Sequence, residues 1–497
     1  MSEIELKFQV PVAKRPALQR ALATARAQIV PMQAKYFDTA DQRLAAARIT
    51  LRLRKEGRQW VQTLKCPGEN RWSRLEHEVP RETPKSGDPE LDPALHAGTP
   101  GGAVLATALG DGAGGLKLRF ETDVQRTRRV IRHQGTAVEV ALDIGEIRAG
   151  SERMPLHEIE FELKTGTVAG LTALAKRWVE RHGLWLDMVT KPERGERLAQ
   201  GEKTILPVQA HVVELKDAHS PDAALRKMVG ACLAHLLPNA AEVAGEVAAE
   251  MVDGAAQPEH LHQVRVSLRR LRTALRIYGD WSQETDAAWN PALATLFGQL
   301  GSARDRDALE AGLLPQLRAV GAPLAELPAE EEGVAVVETL RAPATTGLWL
   351  ELIAFANGTP QDASAQTAAT DLRVSAAAKL KHLQRQLAKD AKNYPTFDDT
   401  GRHRARRRLK RLRYSLEFVS SLFSKKKVKA YAAKLKPAQD ALGEYNDLVV
   451  AEQAFTRLLS TQPQAWFALG WLAARRPALL AAAQSRLQKW AKKTVFW

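Results

Sequence analysis

Three short runs of the chain place charged side chains at every second position. Glu3, Glu5 and Lys7 alternate with Ile4, Leu6 and Phe8; Arg52 and Arg54 alternate with Leu51 and Leu53; Glu158, Glu160 and Glu162 alternate with Ile159, Phe161 and Leu163. Successive side chains of a strand point to opposite faces, so each run has a charged face and an apolar face. Carboxylates at i and i+2 on one face are hard oxygen donors suited to Mg²⁺ or Mn²⁺. Arginine and lysine suit phosphate groups, arginine by bidentate pairing and lysine as a point charge. Lys65, Arg74, Arg126, Asp143 and Lys191 are single candidates of the same kinds. For one isolated three-residue pattern, a solvated strand face is the better reading. The accumulation of acidic and basic strands favours a closed barrel with these faces inward, a polar tunnel fit for a metal–polyphosphate complex. Metal and cations there would neutralise charge on a phosphoryl group transferred to water. The chain has no G-x-x-x-x-G-K-[ST] loop, so side chains must hold the phosphates.

The elements that position these residues fall into two halves. A length of 497 residues suggests two or three domains of roughly 100–200 residues each. The first half has a period of two, with a further alternating run in Arg74–Val79, which predicts an antiparallel sheet or barrel. Helices are expected around residues 16–27 and 168–182. From about Pro221 the period becomes helical, with breaks expected at prolines that include Pro238 and Pro437. The expected domains are residues 1–205 and 221–497, joined by a linker at 206–220. Two cysteines, Cys66 and Cys232, cannot build a disulfide framework or a zinc ribbon, which fits a reducing compartment. The N-terminus is charged from its third residue, unlike a signal peptide. The longest apolar stretches, 347–356 and 465–474, fall short of the ~20 residues of a membrane helix. A cytoplasmic protein, associated with polyphosphate granules in one extension of this reading, is expected. A net charge of +15 predicts an anionic partner.

The run Glu3-Ile4-Glu5-Leu6-Lys7 resembles the ExExK signature of CYTH domains, the triphosphate tunnel metalloenzymes. The resemblance continues through Tyr36-Phe37-Asp38-Thr39, Leu51-Arg52-Leu53-Arg54, Gln62-Thr63-Leu64-Lys65, Arg74-Leu75-Glu76-His77-Glu78, Phe120-Glu121-Thr122-Asp123 and His157-Glu158-Ile159-Glu160 to Lys191 and Arg197. It implies an eight-stranded antiparallel β-tunnel that hydrolyses or cyclises triphosphates with Mg²⁺ or Mn²⁺. On that pattern Glu3, Glu5, Asp143, Glu158 and Glu160 hold metal. Lys7, Arg52, Arg54 and Lys65 are the catalytic cations, and Arg126 and Lys191 bind substrate. The alternation leaves open whether Glu158 and Glu160, or Glu160 and Glu162, form the ligating pair.

The second half repeats itself at an offset of 141 residues. The apolar row Val264, Leu268, Leu271, Leu275 maps onto Ala405, Leu409, Leu412, Leu416, and the basic row Arg265, Arg269, Arg272 onto Arg406, Lys410, Arg413. His262 maps onto His403 and Arg270 onto Arg411. Residues 300–307 echo 442–447. Two related helical units, about 221–350 and 365–497, are the simplest explanation. Arg265, Arg269, Arg272 and Arg276 form one helical stripe, and Arg406, Arg407, Lys410, Arg411 and Arg413 crowd its counterpart. Like charges at such spacing repel, which favours a polyanion-binding face over a solvated one. Nucleic acid is the default partner for such clusters, but aromatic side chains are sparse and no stacking platform is present. The pattern His262-x-x-Arg265-x-x-x-Arg269-Arg270-Leu271-Arg272 resembles the CHAD domain, which implies an all-α domain of two pseudo-symmetric four-helix bundles with a basic cleft for inorganic polyphosphate. The resemblance assigns His262, Arg265, Arg269, Arg270, Arg272, Arg276, His403, Arg406, Arg407, Lys410, Arg411 and Arg413 to that cleft.

The expected fold class is therefore α+β. The CYTH–CHAD arrangement resembles bacterial inorganic triphosphatases and implies hydrolysis of inorganic triphosphate to pyrophosphate and orthophosphate. The alternatives are a non-catalytic polyphosphate scaffold, or a triphosphatase for thiamine or nucleoside triphosphates. Partners expected are inorganic triphosphate and polyphosphate, with no membrane and with nucleic acid the weaker reading.

Overall fold

The computed structural model describes residues 2–68, 73–84, 87–110, 115–202, 204–245, 258–301, 312–323, 332–359, 368–492 and 495–497. It divides into two compact units that cut across chain order. The first comprises Met1–Val208, Leu237–His260 and Val337–Gly358; the second comprises Gln209–Leu236, Leu261–Val336 and Thr359–Trp497.

The first unit is built on one antiparallel sheet. Its strands are β1 (Ser2–Gln9), β2 (Gln28–Asp38), β3 (Thr50–Glu56), β4 (Gln59–Pro67), β5 (Ser73–Arg81), β6 (Lys117–His133), β7 (Thr136–Ala149), β8 (Glu152–Thr165) and β9 (Trp185–Leu186). The order is β5-β4-β3-β2-β6-β7-β8-β1-β9, and an additional β5–β1 pairing closes the barrel. The sheet has nine strands, which corrects the expectation of eight. The closed ring uses eight; β5 pairs with β1 only at Ser2, Glu3 and Ile4, and the two-residue β9 takes Phe8 and Gln9. Barrel strands are staggered, so this short stretch of β1 edge is available to a ninth strand.

The barrel is apolar outside and charged inside. On β1, Leu6 and Phe8 are buried on the outer face, and Phe8 meets Phe161 of β8 edge-on at 5.4 Å. Phe161 in turn meets Trp178 of α4 (Val168–His182) at 5.8 Å. Each such fully buried aromatic contributes about 1.5–3 kcal/mol by removal from water. A second cluster joins Leu105 and Leu109 of α3 (Pro100–Leu109) to Leu51, Leu64 and Cys66. Helices α1 (Arg15–Leu22) and α4 match the helical stretches expected from sequence, α1 ending several residues earlier. With the apolar faces turned to this helical jacket, period two leaves the charged faces lining the interior.

Helix α5 (Lys191–Gln200) is placed against β6, β7 and β8. Thr190 caps its first turn, with Glu193 returning the bond in a capping box, and Pro192 suits an early helical position. Leu198 and Ala199 pack on the cluster of Tyr36, Phe120, Val124 and Ile147. Gly195 permits the close approach: a Cβ there would lie 2.1 Å from the Phe120 ring.

In the second unit, the apolar rows Val264, Leu268, Leu271, Leu275 and Ala405, Leu409, Leu412, Leu416 are all buried. The helix Asp399–Phe418 starts at the Asp398 cap, whose side chain accepts from the Gly401 amide. Tyr278, at the end of the first basic helix, donates to the Ser415 carbonyl of the second at 3.0 Å. Pro437 does not break its helix, contrary to expectation; it lies inside Lys425–Leu458, and Pro238 lies inside Pro221–Ala244. Proline removes one helical hydrogen bond, and around Pro437 the burial of Tyr431, Leu435, Ala438 and Leu442 on both sides offsets that loss. Of the echoed segments, 302–307 lies outside the described residues. Cys66 and Cys232 are buried free thiols. Among the described residues, no helix is long and apolar enough to cross a membrane.

Gly195→Ala tests the seating of α5. Overpacking Phe120 is expected to lower unfolding free energy by about 1–3 kcal/mol, read as a lower midpoint in chemical denaturation.

Candidate active site

The barrel encloses a cavity of about 380 Å³. Register brings its acidic wall together. Arg126 of β6 is opposite Asp143 of β7, Asp143 is opposite Glu158 of β8, and Lys7 of β1 is opposite Glu160 of β8. Ligand oxygens of Asp143, Glu158 and Glu160 lie within 4.8 Å of one another, and Asp143 and Glu158 are fully buried. Glu162, the alternative partner on this strand, lines the cavity but pairs with Lys164 at 2.7 Å. Glu5 also lines the cavity. Glu3 is placed by its backbone opposite Arg74, and its side chain lies outside the description.

Two cations compensate these carboxylates. Arg126 donates to both oxygens of Asp143, at 2.7 and 2.6 Å, and to Glu160 at 2.6 Å. Lys191, at the start of α5, lies 2.8 Å from Asp143 and 2.5 Å from each of Glu158 and Glu160. Lys7 lies 3.7 Å from Glu158 and donates to the Val189 carbonyl. Burial alone would raise the carboxyl of Asp143, but Arg126 and Lys191 hold it below its usual value. Glu160 is held well below its own against the same burial by Lys191 and Arg126. Conversely, burial would lower Lys191, yet Asp143, Glu158 and Glu160 raise it well above the ordinary lysine value. Arg126 is raised in the same way, by Asp143 and Glu160 against burial. Buried charges persist only where they are paired, and this group satisfies that requirement.

The opposite wall is basic. Arg52 of β3 donates to the Tyr36 hydroxyl at 3.3 Å. Arg54 lies 2.8 Å from Glu56 and 2.9 Å from Glu78, and Lys65 of β4 lies 3.1 Å from Glu76. Burial would raise the Tyr36 phenol, but Arg52 and Lys191 lower it. All six cations expected in the tunnel, Lys7, Arg52, Arg54, Lys65, Arg126 and Lys191, line this one cavity.

Sequence reasoning missed Asp187. It accepts from Gln9 at 2.7 Å and from the Val189 amide at 2.9 Å, and it pairs with Arg194. Its own amide donates to the Lys7 carbonyl at 2.9 Å. Burial opposes its charge, but Arg194, Lys7 and these hydrogen bonds bring its carboxyl down to about 2. Asp187 thereby ties β1 to the segment that delivers Lys191. A lone aspartate beside a two-residue strand has no periodic signal. Glu139 also lines the cavity, and it had one, standing two strand periods before Asp143.

In the second unit, the expected basic residues divide. Arg265 is buried, donates to the Leu300 carbonyl and lies over the Phe297 ring at 4.6 Å; Arg270 is buried, 2.5 Å from Glu417 and over Phe418 at 4.8 Å. Both are engaged inside the unit. Arg269, Arg272 and Arg276 of the first repeat lie near Arg407, Lys410 and Arg411 of the second. Burial, then Arg276 and Arg407, lowers Arg272; burial, then Arg276, Arg407, Arg408 and Arg272, brings Arg411 down to about 10. Lys410 is brought down to about 6 by burial, then by Arg406 and Arg269, with Asp447 opposing and Arg413 adding. His403 pairs with Asn446 at 2.6 Å, and Arg406 lies 3.7 Å from Asp447, which gives the echoed segment 442–447 a structural role. His262 is half-buried on the first basic helix.

The family model of the CYTH domain matches residues 1–195, and that of the CHAD domain matches residues 227–456. A curated relative, the inorganic triphosphatase of Haemophilus influenzae, is 31% identical over 177 residues, 34% of this chain. The match spans 46%, about half, of that relative's length. Among solved structures, the CHAD domain from the plant Ricinus communis is 30% identical, with a TM-score of 0.46, covering 57% of this chain and 96% of that one. HpAC1 from Hippeastrum, described as having a dominant triphosphatase activity, is 19% identical with a TM-score of 0.29, covering 41% of this chain and 98% of that one. The chain thus carries a CYTH domain, matched over residues 1–195, and a CHAD domain, matched over residues 227–456.

Proposed function

We propose that the barrel hydrolyses inorganic triphosphate to pyrophosphate and orthophosphate with a divalent metal, and that the basic face of the second unit binds inorganic polyphosphate. The observation that carries the first part is the convergence of Asp143, Glu158 and Glu160 with Arg126 and Lys191 inside a closed barrel. Three buried carboxylates are a hard-oxygen donor set, which fits Mg²⁺ or Mn²⁺. Asp143, Glu158 and Glu160 would hold the ion, with Glu3 and Glu5 contributing from β1. When bound, such an ion neutralises charge on the transferred phosphoryl group.

The chain's own cations bind and orient the substrate. Arg52, Arg54 and Lys65 on one wall, and Lys7, Arg126 and Lys191 on the other, bring positive charge to the phosphate oxygens from both sides. Lys191 and Arg126 now satisfy carboxylates, so a metal on those carboxylates would release both for phosphate. Water attacks a terminal phosphorus, the adjoining P–O bond breaks, and pyrophosphate leaves with the bond's electron pair. The curated relative named an inorganic triphosphatase favours this substrate. The carboxylates weigh against a non-catalytic anion scaffold, because without a metal they weaken anion binding.

Release of orthophosphate from inorganic triphosphate should require Mg²⁺ or Mn²⁺ and stop in EDTA. Glu158→Gln combined with Glu160→Gln should lower kcat/KM by about 10²-fold or more. Thiamine triphosphate and ATP assayed alongside rank the alternative substrates. Polyphosphate binding without release from any triphosphate would replace the catalytic reading with the scaffold.

The second part carries a pH signature. The Lys410 amine is brought down to about 6 by burial and its arginine neighbours, so at neutral pH it is largely neutral. A bound polyanion favours the charged form and raises that pKa, so binding takes up a proton. Affinity for long-chain polyphosphate should be greatest below pH about 6 and fall by up to about tenfold per unit above it, until the pH reaches the bound-state value. Titration calorimetry at constant ionic strength reads this, and Lys410→Met should flatten the profile.

A further inference from the structure

Arg48 occupies a backbone position that a residue with a side chain rarely adopts. It follows α2 (Arg43–Ala46); its amide donates to the Ala45 carbonyl at 2.9 Å, and the next amide, Ile49, donates to Leu44 at 2.8 Å. Its φ is +58°. This is the turn that ends a helix through a left-handed residue, where glycine is the ordinary occupant because a Cβ is crowded there. Arginine at such a position carries a conformational cost, and residues held in that way cluster at ligand sites.

The side chain stands where two cavities meet. Arg48 lines the tunnel and also a second cavity of about 190 Å³, and Arg74 of β5 lines both as well. Arg48 is exposed and Arg74 is half-buried, which places the pair toward the solvent end of the shared wall. Neither guanidinium has a hydrogen bond or an ion pair among the described residues. The deeper cations differ: Arg126 and Lys191 are held by Asp143 and Glu160, Lys65 by Glu76, and Arg54 by Glu78. Those must exchange partners to take a phosphate. Arg48 and Arg74 need not.

We propose that Arg48 and Arg74 form an outer anion subsite at the mouth of the tunnel, which grips the non-reacting end of an inorganic triphosphate and so sets the chain length that binds well. The inference rests on the triphosphatase reading and adds a residue that neither the charged alternation nor the acidic cluster points to. A guanidinium is suited to the task, since its fork pairs with two phosphate oxygens at once.

Arg48→Gly removes the guanidinium and suits the positive φ, so the full-length variant should fold with an unchanged or higher melting temperature. Its KM for triphosphate should rise about tenfold while kcat stays within twofold, and inhibition by pyrophosphate, which is too short to reach the outer subsite, should stay within twofold. Arg48→Lys should restore most of the lost affinity. A role confined to ending the helix would move the melting temperature and leave the ratio of triphosphate to pyrophosphate affinity unchanged, and that result overturns the subsite. Should the wild-type protein release no orthophosphate, the triphosphatase reading fails. Calorimetric binding of triphosphate with Mg²⁺ then decides the subsite alone: equal affinity in wild type and Arg48→Gly, or no binding by wild type, overturns it.

Discussion

Charge compensation inside a barrel turned inside out governs the first unit. Its strands place apolar side chains outward, where Phe8, Phe161 and Trp178 meet under α4, and this obliges the alternate residues to face inward. Charged groups so enclosed are tolerable only in mutual contact. Asp143, Glu158 and Glu160 on one side, and Arg126 and Lys191 on the other, meet that condition; the two cations hold Asp143 and Glu160 ionised against burial, and the carboxylates keep the cations charged in turn. The same arrangement is poised for exchange. A divalent cation can replace the ammonium and guanidinium at the carboxylates, and phosphate can replace the carboxylates at the cations.

That exchange depends on elements that are not strands. Lys191 is delivered by the capped first turn of α5, whose approach depends on Gly195 lacking a side chain beside Phe120. Asp187 fastens the preceding segment to Gln9 and to the Lys7 backbone, so the two lysines on this wall share one support. The second unit uses cations differently. Arg265 and Arg270 are engaged with a backbone carbonyl, aromatic rings and Glu417, and they hold up the helices on which Arg269, Arg272, Arg407, Lys410 and Arg411 face one another. Burial and the neighbouring cations lower the proton affinity of Arg272, Lys410 and Arg411, and a polyanion relieves it.

Much of this was legible in the residues because period two is a strong signal when one face is charged and the other apolar. The alternation in β1, β3 and β8 identified strands, faces and three of the cavity's cations, Lys7, Arg52 and Arg54, before any register was known. It could not decide between Glu158 and Glu162, since both lie on the same face and only pairing with β7 brings Glu158 beside Asp143. Asp187 and β9 had no period to reveal them. On the helices, Arg269 and Arg270 are adjacent in sequence and about 100° apart around the axis, so one belongs to the open basic face and the other to the interior. Pro437 misled because local propensity was outweighed by burial along the rest of its helix.

The central claim is that the buried carboxylates form a metal site whose present cations give way to metal and phosphate. Anomalous diffraction from crystals grown with Mn²⁺ and a non-hydrolysable triphosphate analogue tests it most directly. The account predicts one or more manganese peaks among Asp143, Glu158 and Glu160, with Lys191 and Arg126 turned to phosphate oxygens. Manganese elsewhere, or an analogue bound outside the barrel with the Lys191–Glu160 pair intact, would contradict it.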